Sequence, residues 1–190
     1  ERVVFREGPR NLEVAFGALL VEWTGPRAQA FRVQEGAARL SDRRVDGFVL
    51  DMSRAWTAED EPPGGWGFLV SGDSLQLVLE EAGPGGGPEG GTYSLWALLG
   101  LEDRRWDAVR LEWSESRSFE SARREVPVAW RVRRPGGVVG GTLTSAAPFL
   151  EAGEGEGPVL PVEGLYQVSG TLTLEGRDYP VRGLIRHLQR

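Results

Sequence analysis

The chain has no cysteine, so disulfides, thiolate nucleophiles and cysteine-held zinc are excluded, and thiols say nothing of its redox compartment. A single histidine, His187, leaves no set of imidazoles to hold a catalytic metal. Lysine is absent as well: all 22 basic side chains are arginine, a planar group suited to fixed pairing, although GC-rich coding gives the same bias. Long apolar runs are also missing. The longest, AFGALLV at 15–21, stops at Glu22, far short of the roughly 20 residues a membrane helix needs, so no transmembrane segment is expected. With no P-loop lysine, no GxSxG elbow and no HExxH pair, the signatures of three common chemistries are lacking.

What the chain has in quantity is punctuation. Its 27 glycines and 12 prolines separate short apolar runs, at a rate that antiparallel strands use for turns and helices would find costly. At 190 residues and 40% hydrophobic content it can bury a real core, and one β domain over 1–190 is expected. The net charge of −6 is unevenly spread: residues 1–103 hold 17 acids against 9 arginines, whereas 104–134 hold 9 arginines against 5 acids. Overall acidity without a basic helix argues against nucleic acid as a partner. The first residue, Glu1, follows no apolar leader region, which leaves open a removed leader or a trimmed chain and favours a periplasmic or membrane-peripheral setting.

Period-two alternation marks the clearest strands. Leu75, Leu77 and Leu79 share one face, as do Val109, Leu111 and Trp113, and again Val128, Trp130 and Val132. Near the end, Tyr166, Val168, Gly170, Leu172 and Leu174 line one side, then Gly176-Arg177-Asp178 turns the chain into YPVRGLIRHL as a hairpin. Less regular runs at 3–7, 12–23, 29–35, 45–52, 66–72 and 92–100 bring the total to ten to twelve strands, with loops at 57–65, 82–91 and 151–158. So many short sequential strands must dispose of their edges, which predicts an all-β antiparallel barrel or closed β-sandwich.

Candidate sites follow from that architecture. Trp96, Trp113 and Trp130 fall on or beside strands, where they either fill a barrel or line an apolar pocket with Tyr166. Arg104, Arg105, Arg131, Arg133 and Arg134 form a basic stretch that suits an acidic partner or phospholipid headgroups, or simply a solvated face. The GxGxxG spelled by Gly85, Gly87 and Gly90 contains Pro88 and precedes no helix, so it reads as a loop. The carboxylates of Glu59-Asp60-Glu61 and of Glu151, Glu154 and Glu156 lack the spacing of a calcium loop. His187, in the last strand, reads as packed or solvated rather than catalytic. No catalytic residue, metal ligand or cofactor is assigned.

Residues 106–186 carry one further signal. Val109 to Ser118, then Pro127, Trp130, Val132 and Pro135, then Tyr166, Gly170, Leu172, Leu174, Gly176, Val181 and Gly183 stand in an order that resembles the C-terminal lipocalin-like domain of the carotenoid 1,2-hydratase and AttH-like family. The family's acidic closing motif is replaced by Ile185-Arg186-His187-Leu188, and no catalytic acid of the family finds a counterpart. The resemblance implies a lipocalin-like barrel. It also implies either a non-covalent apolar ligand such as a carotenoid, quinone or lipid, or service as an accessory subunit beside other protein subunits of a larger membrane complex, a photosynthetic one among the candidates. The alternative is acid-catalysed hydration or isomerisation of an isoprenoid double bond, which needs a buried carboxylic acid; Asp51, Glu112 and Glu22 are the acids to check.

Overall fold

The computed structural model describes residues 2–7, 10–25, 30–52, 64–82 and 90–190. The loops expected at 57–65 and 82–91, with Gly85, Gly87 and the Glu59–Glu61 carboxylates, lie largely outside the described residues. The described chain is almost entirely strand, with one short 3-10 turn at Glu120–Ala122. No helix among the described residues is long and apolar enough to cross a membrane.

Contacts within the chain cluster into two compact units, Glu1–Pro62 and Pro63–Arg190. The first is a four-stranded antiparallel sheet in chain order, β1 (Arg2–Glu7), β2 (Arg10–Thr24), β3 (Ala30–Leu40) and β4 (Arg43–Asp51). Register shifts between Phe16 and Val21 put bulges into β2 against β3, and Trp23, Phe31 and Val33 are its buried hydrophobic side chains among the described residues.

The second unit is a closed barrel. β5 (Trp66–Ser71), β6 (Leu75–Glu81), β7 (Gly91–Leu99), β8 (Glu102–Phe119), β9 (Arg124–Arg133), β10 (Val139–Ala152), β11 (Val162–Leu174) and β12 (Arg177–Gln189) form an antiparallel meander, and β12 returns to pair with β5. Closure leaves no open sheet edge. Alternation places Leu69, Leu77, Leu79, Leu95, Trp130, Leu143, Tyr166, Leu172 and Ile185 in one contiguous, fully buried core. The middle of the barrel is therefore filled with side chains rather than open.

Two glycines make the tight wall possible. A Cβ on Gly170 would stand 2.0 Å from the Thr142 carbonyl oxygen, and one on Gly183 would stand 1.9 Å from that of Phe68. At those positions neighbouring strands approach more closely than any side chain permits. The Trp130 strand and the final hairpin adjoin as the resemblance implies: Trp130 pairs with Leu143, Leu143 with Gly170, and Gly170 with Val181.

Candidate functional site

At the end of the barrel where β12 finishes and β5 begins, the inward-facing positions turn from aliphatic to polar. On β12 the buried face runs Tyr179, Val181, Ile185, His187, Gln189; on β11 it runs Val162, Gly164, Tyr166, Val168. On β6 the Leu75, Leu77, Leu79 face continues to Glu81, and on β7 Tyr93 follows Gly91 in the same way. Glycine two residues before each tyrosine matters: a Cβ on Gly164 would be 2.4 Å from the Tyr166 ring, and one on Gly91 would be 2.8 Å from the Tyr93 ring. Each ring lies back along its own strand over the missing side chain, which brings its hydroxyl to the barrel's end.

Two edge-to-face aromatic contacts fix this end. The Trp130 and Tyr166 rings are 5.1 Å apart at 83°, and those of Trp113 and His187 are 5.5 Å apart at 72°. Trp113 is only half-buried, so the cluster reaches solvent through it. The longer connections around this end carry a second apolar cluster of Ala122, Val126 and Val162, flanked by Phe119, Leu150 and Leu160. They are tied together where the Leu160 amide donates to the Ala122 carbonyl at 3.0 Å and the Arg123 guanidinium donates to the Gly157 carbonyl at 2.9 Å.

Inside, the Tyr166 hydroxyl and His187 Nε2 are buried with no hydrogen-bond partner among the described residues, as are Ser145 Oγ and Gln189 Oε1. Gln189 does donate through Nε2 to the Glu125 carbonyl at 3.1 Å. An unmade hydrogen bond at a buried polar atom costs about 1–3 kcal/mol, so the unpaired Tyr166, His187 and Gln189 atoms toward this end call for a reason. Burial also sets the protonation states. It pushes His187 down to about 4, leaving a neutral imidazole with one donor and one acceptor nitrogen. It pushes Tyr166 up to about 12, an effect that the nearby Arg117 charge partly offsets. Tyr93 lies well above the usual phenol range, through burial first and then the Glu81 carboxylate. Glu81 accepts from the Gly65 amide at 2.6 Å. At neutral pH this end presents two phenol hydroxyls and an imidazole as neutral groups, with one carboxylate on the β6 side. Such a set can hydrogen-bond an oxygen on an otherwise apolar molecule.

Of the expected pocket residues, Trp113, Trp130 and Tyr166 come together here. Trp96 does not: it alternates with the inward Leu95 and Ala97, is buried on the opposite face of β7, and carries the Arg105 guanidinium 5.2 Å above its ring. Most of the arginine stretch is engaged within the chain. Arg104 pairs with Glu102 and Glu175, Arg105 with Asp107, and Arg133 with Glu112, while Arg134 donates to the Asp107 carbonyl. Arg131 is exposed and has no ion pair among the described residues.

The three acids to check are not inside the barrel. Glu112 faces outward, where hydrogen bonds from Arg133 hold it below the usual carboxylate range. Glu22 pairs with Arg32 and Asp51 ends β4, both in the four-stranded sheet. The acid on the interior face is Glu81, which the sequence reading passed over although it continues the Leu75, Leu77, Leu79 alternation. His187, read as packed or solvated, is 4% exposed and belongs to the polar cluster.

With its closed eight-stranded antiparallel barrel, the protein has a lipocalin-like fold. It resembles the crystal structure of an AttH-type protein from Nitrosomonas europaea with a TM-score of 0.59 at 12% identity, over 99% of this chain and 64% of that one. It also resembles kievitone hydratase from Nectria haematococca with a TM-score of 0.52 at 11% identity, over 97% of this chain and 63% of that one. The chain thus spans less than two thirds of either protein, and at such identities the likeness is one of fold. No protein-family model and no curated protein sequence matches it.

Proposed function

We propose that the protein is a non-catalytic binder of an apolar molecule with one polar oxygen, such as a quinone, a hydroxylated carotenoid or a lipid, held at the His187 end of the barrel. The carrying observation is the pair of buried atoms without a partner among the described residues, Tyr166 Oη against Trp130 and His187 Nε2 against the half-buried Trp113. A ligand oxygen bonded to either would remove a desolvation cost that the folded chain otherwise bears. The filled middle of the barrel confines the ligand to this end, with its apolar part against Trp113 and the Phe119–Leu160 cluster. The accessory-subunit reading keeps Arg131, exposed and without an ion pair among the described residues, and otherwise rests on the resemblance.

The test is a titration with a quinone and with a hydroxylated polyene, followed by tryptophan fluorescence. Saturable quenching at micromolar ligand is expected, with about tenfold weaker binding in Tyr166→Phe. An absence of quenching, or quenching that Tyr166→Phe and His187→Leu leave unchanged, would remove the binding site from this end.

A second reading is favoured by one specific feature, the Glu81 carboxylate beside the high-pKa Tyr93 hydroxyl. Hydration of an isoprenoid double bond would need Glu81 protonated in the ligand-filled site, its proton going to one alkene carbon while water adds to the other and returns a proton to the carboxylate, and a hydratase shares the fold. Incubation with an isoprenoid polyene should then yield a product heavier by one water, and Glu81→Gln should abolish it; an unchanged polyene ends this reading.

A further inference from the structure

The opposite end of the barrel has a different chemistry, and the ligand proposed above makes no use of it. The turns after β5, β7 and β11 surround a cleft of about 430 Å3, within the size range of small-molecule sites. Its floor is apolar, since Leu174 and Tyr179 belong to the barrel core and Leu99 packs against it. Its rim carries charges of both signs, in unequal states. Arg104 is held by Glu102 and by Glu175, the latter at 3.7 Å. Arg177 is exposed and meets no carboxylate among the described residues; its guanidinium stands 5.1 Å over the Tyr179 ring.

That asymmetry defines a ligand. A ring face attracts a guanidinium but accepts none of its in-plane N–H bonds, so the fork of Arg177 remains available to a carboxylate. The same stacking fixes the plane in which a carboxylate must arrive, beside an aromatic and aliphatic floor. A dianion such as phosphate would need a second free cation, and Arg104, between two carboxylates, does not supply one. Leu101, at the lip of the cleft next to Gly100, is 98% exposed and stands where it can cover an apolar ring.

We infer that this cleft is a second binding site that takes a flat aromatic monocarboxylate, its carboxylate on Arg177 and its ring on Tyr179, Leu99 and Leu174. The site needs neither Tyr166 nor His187, so it stands whether or not the first proposal does.

Naphthoate, whose own fluorescence reports its surroundings, is titrated into the full chain beside the uncharged naphthalenemethanol and inorganic phosphate. The expected result is saturable naphthoate binding, about tenfold weaker in Arg177→Gln, with any binding of the alcohol, which suits the His187 end, unchanged in that variant. Excess phosphate should not displace naphthoate. Ser74→Trp, on an exposed turn, fills the cleft without touching Arg177 and should also abolish binding. Tyr166→Phe should leave naphthoate affinity unchanged. Undiminished binding in Arg177→Gln or Ser74→Trp, displacement by phosphate, or a loss in Tyr166→Phe would each overturn the inference.

Discussion

The same eight strands end in opposite chemistries. At one end, Tyr166 and His187 are buried and neutral; at the other, Arg104, half-buried, is paired with the exposed Glu102 and Glu175. The connections explain the contrast. Short turns follow β5, β7 and β11, and side chains on that rim keep their hydration, so charge costs little there and pairing adds little. Around the His187 end, the longer β8–β9 and β10–β11 connections bring their own apolar cluster. A group shielded in that way must be neutral or fully bonded. Titration should therefore be felt at the His187 end, and ionic strength at the other.

The largest effect expected is from Trp130→Ala. This side chain is 1% exposed and stands against Tyr166, so its loss should cost about 3–5 kcal/mol, read as a lower denaturant midpoint at unchanged slope. Arg104→Ala at the exposed end should cost less than about 1 kcal/mol. Comparable losses would break the contrast between the ends.

The pH dependence comes next in size. The folded pKa of His187, about 4, lies below its ordinary 6.5, so on acidification the unfolded chain takes up this proton first. Stability present above pH 6.5 is then lost as pH falls towards 4, by up to about 3 kcal/mol. Asp107 and Glu112 also sit below their ordinary values, held there chiefly by hydrogen bonds from Ser94 and Arg133, so their losses fall in a more acidic range. Urea midpoints measured between pH 7 and pH 4.5, roughly, should decline in the native chain and much less in His187→Leu. A flat native profile would mean that the imidazole is not shielded.

These contrasts were partly readable beforehand. The alternations around Leu77, Trp130 and Leu172 gave both the strands and their inward faces, because a half-buried strand imposes a period of two. β10 was missed. Its Gly140-Gly141 and Ala146-Ala147-Pro148 carry no apolar alternation, and the bulge between Ser145 and Ala147 breaks the period in the middle. The division into two units was also hidden, since period-two patterning shows that a strand has a buried face but not which sheet it joins. Three of the four expected pocket residues share the His187 end because parity could be followed along each strand; Trp96 occupies the opposite parity, and the burial of both faces of β7 masks the difference. The unpartnered hydroxyl and imidazole were beyond reach, since hydrogen-bond partners come from strands distant in sequence.

Tyr166→Phe separates stability from binding. Removing a buried hydroxyl with no partner among the described residues should leave the fold unharmed or firmer by about 1 kcal/mol, while weakening binding of the oxygen-bearing ligand. A destabilised Tyr166→Phe would show that the hydroxyl already has a structural partner, such as a water molecule.

The smallest effect is at the charged end, in the turn between β11 and β12. Glu175 and Gly176 have φ values of +52° and +81°, the left-handed pair of a two-residue hairpin turn in which the first position favours asparagine, aspartate or glycine. Glutamate is held there against its conformational preference, at a cost of about 1 kcal/mol, and its carboxylate reaches Arg104 at 3.7 Å. Glu175→Gly relieves the backbone and forfeits an exposed ion pair of less than about 1 kcal/mol, so a net gain of a few tenths is expected at low salt. Screening removes the ion pair from the native chain alone, so in about 1 M salt the advantage of the glycine variant should widen. If it shrinks instead, the Arg104 pair is shielded from solvent, and the two ends of the barrel differ less than their side chains suggest.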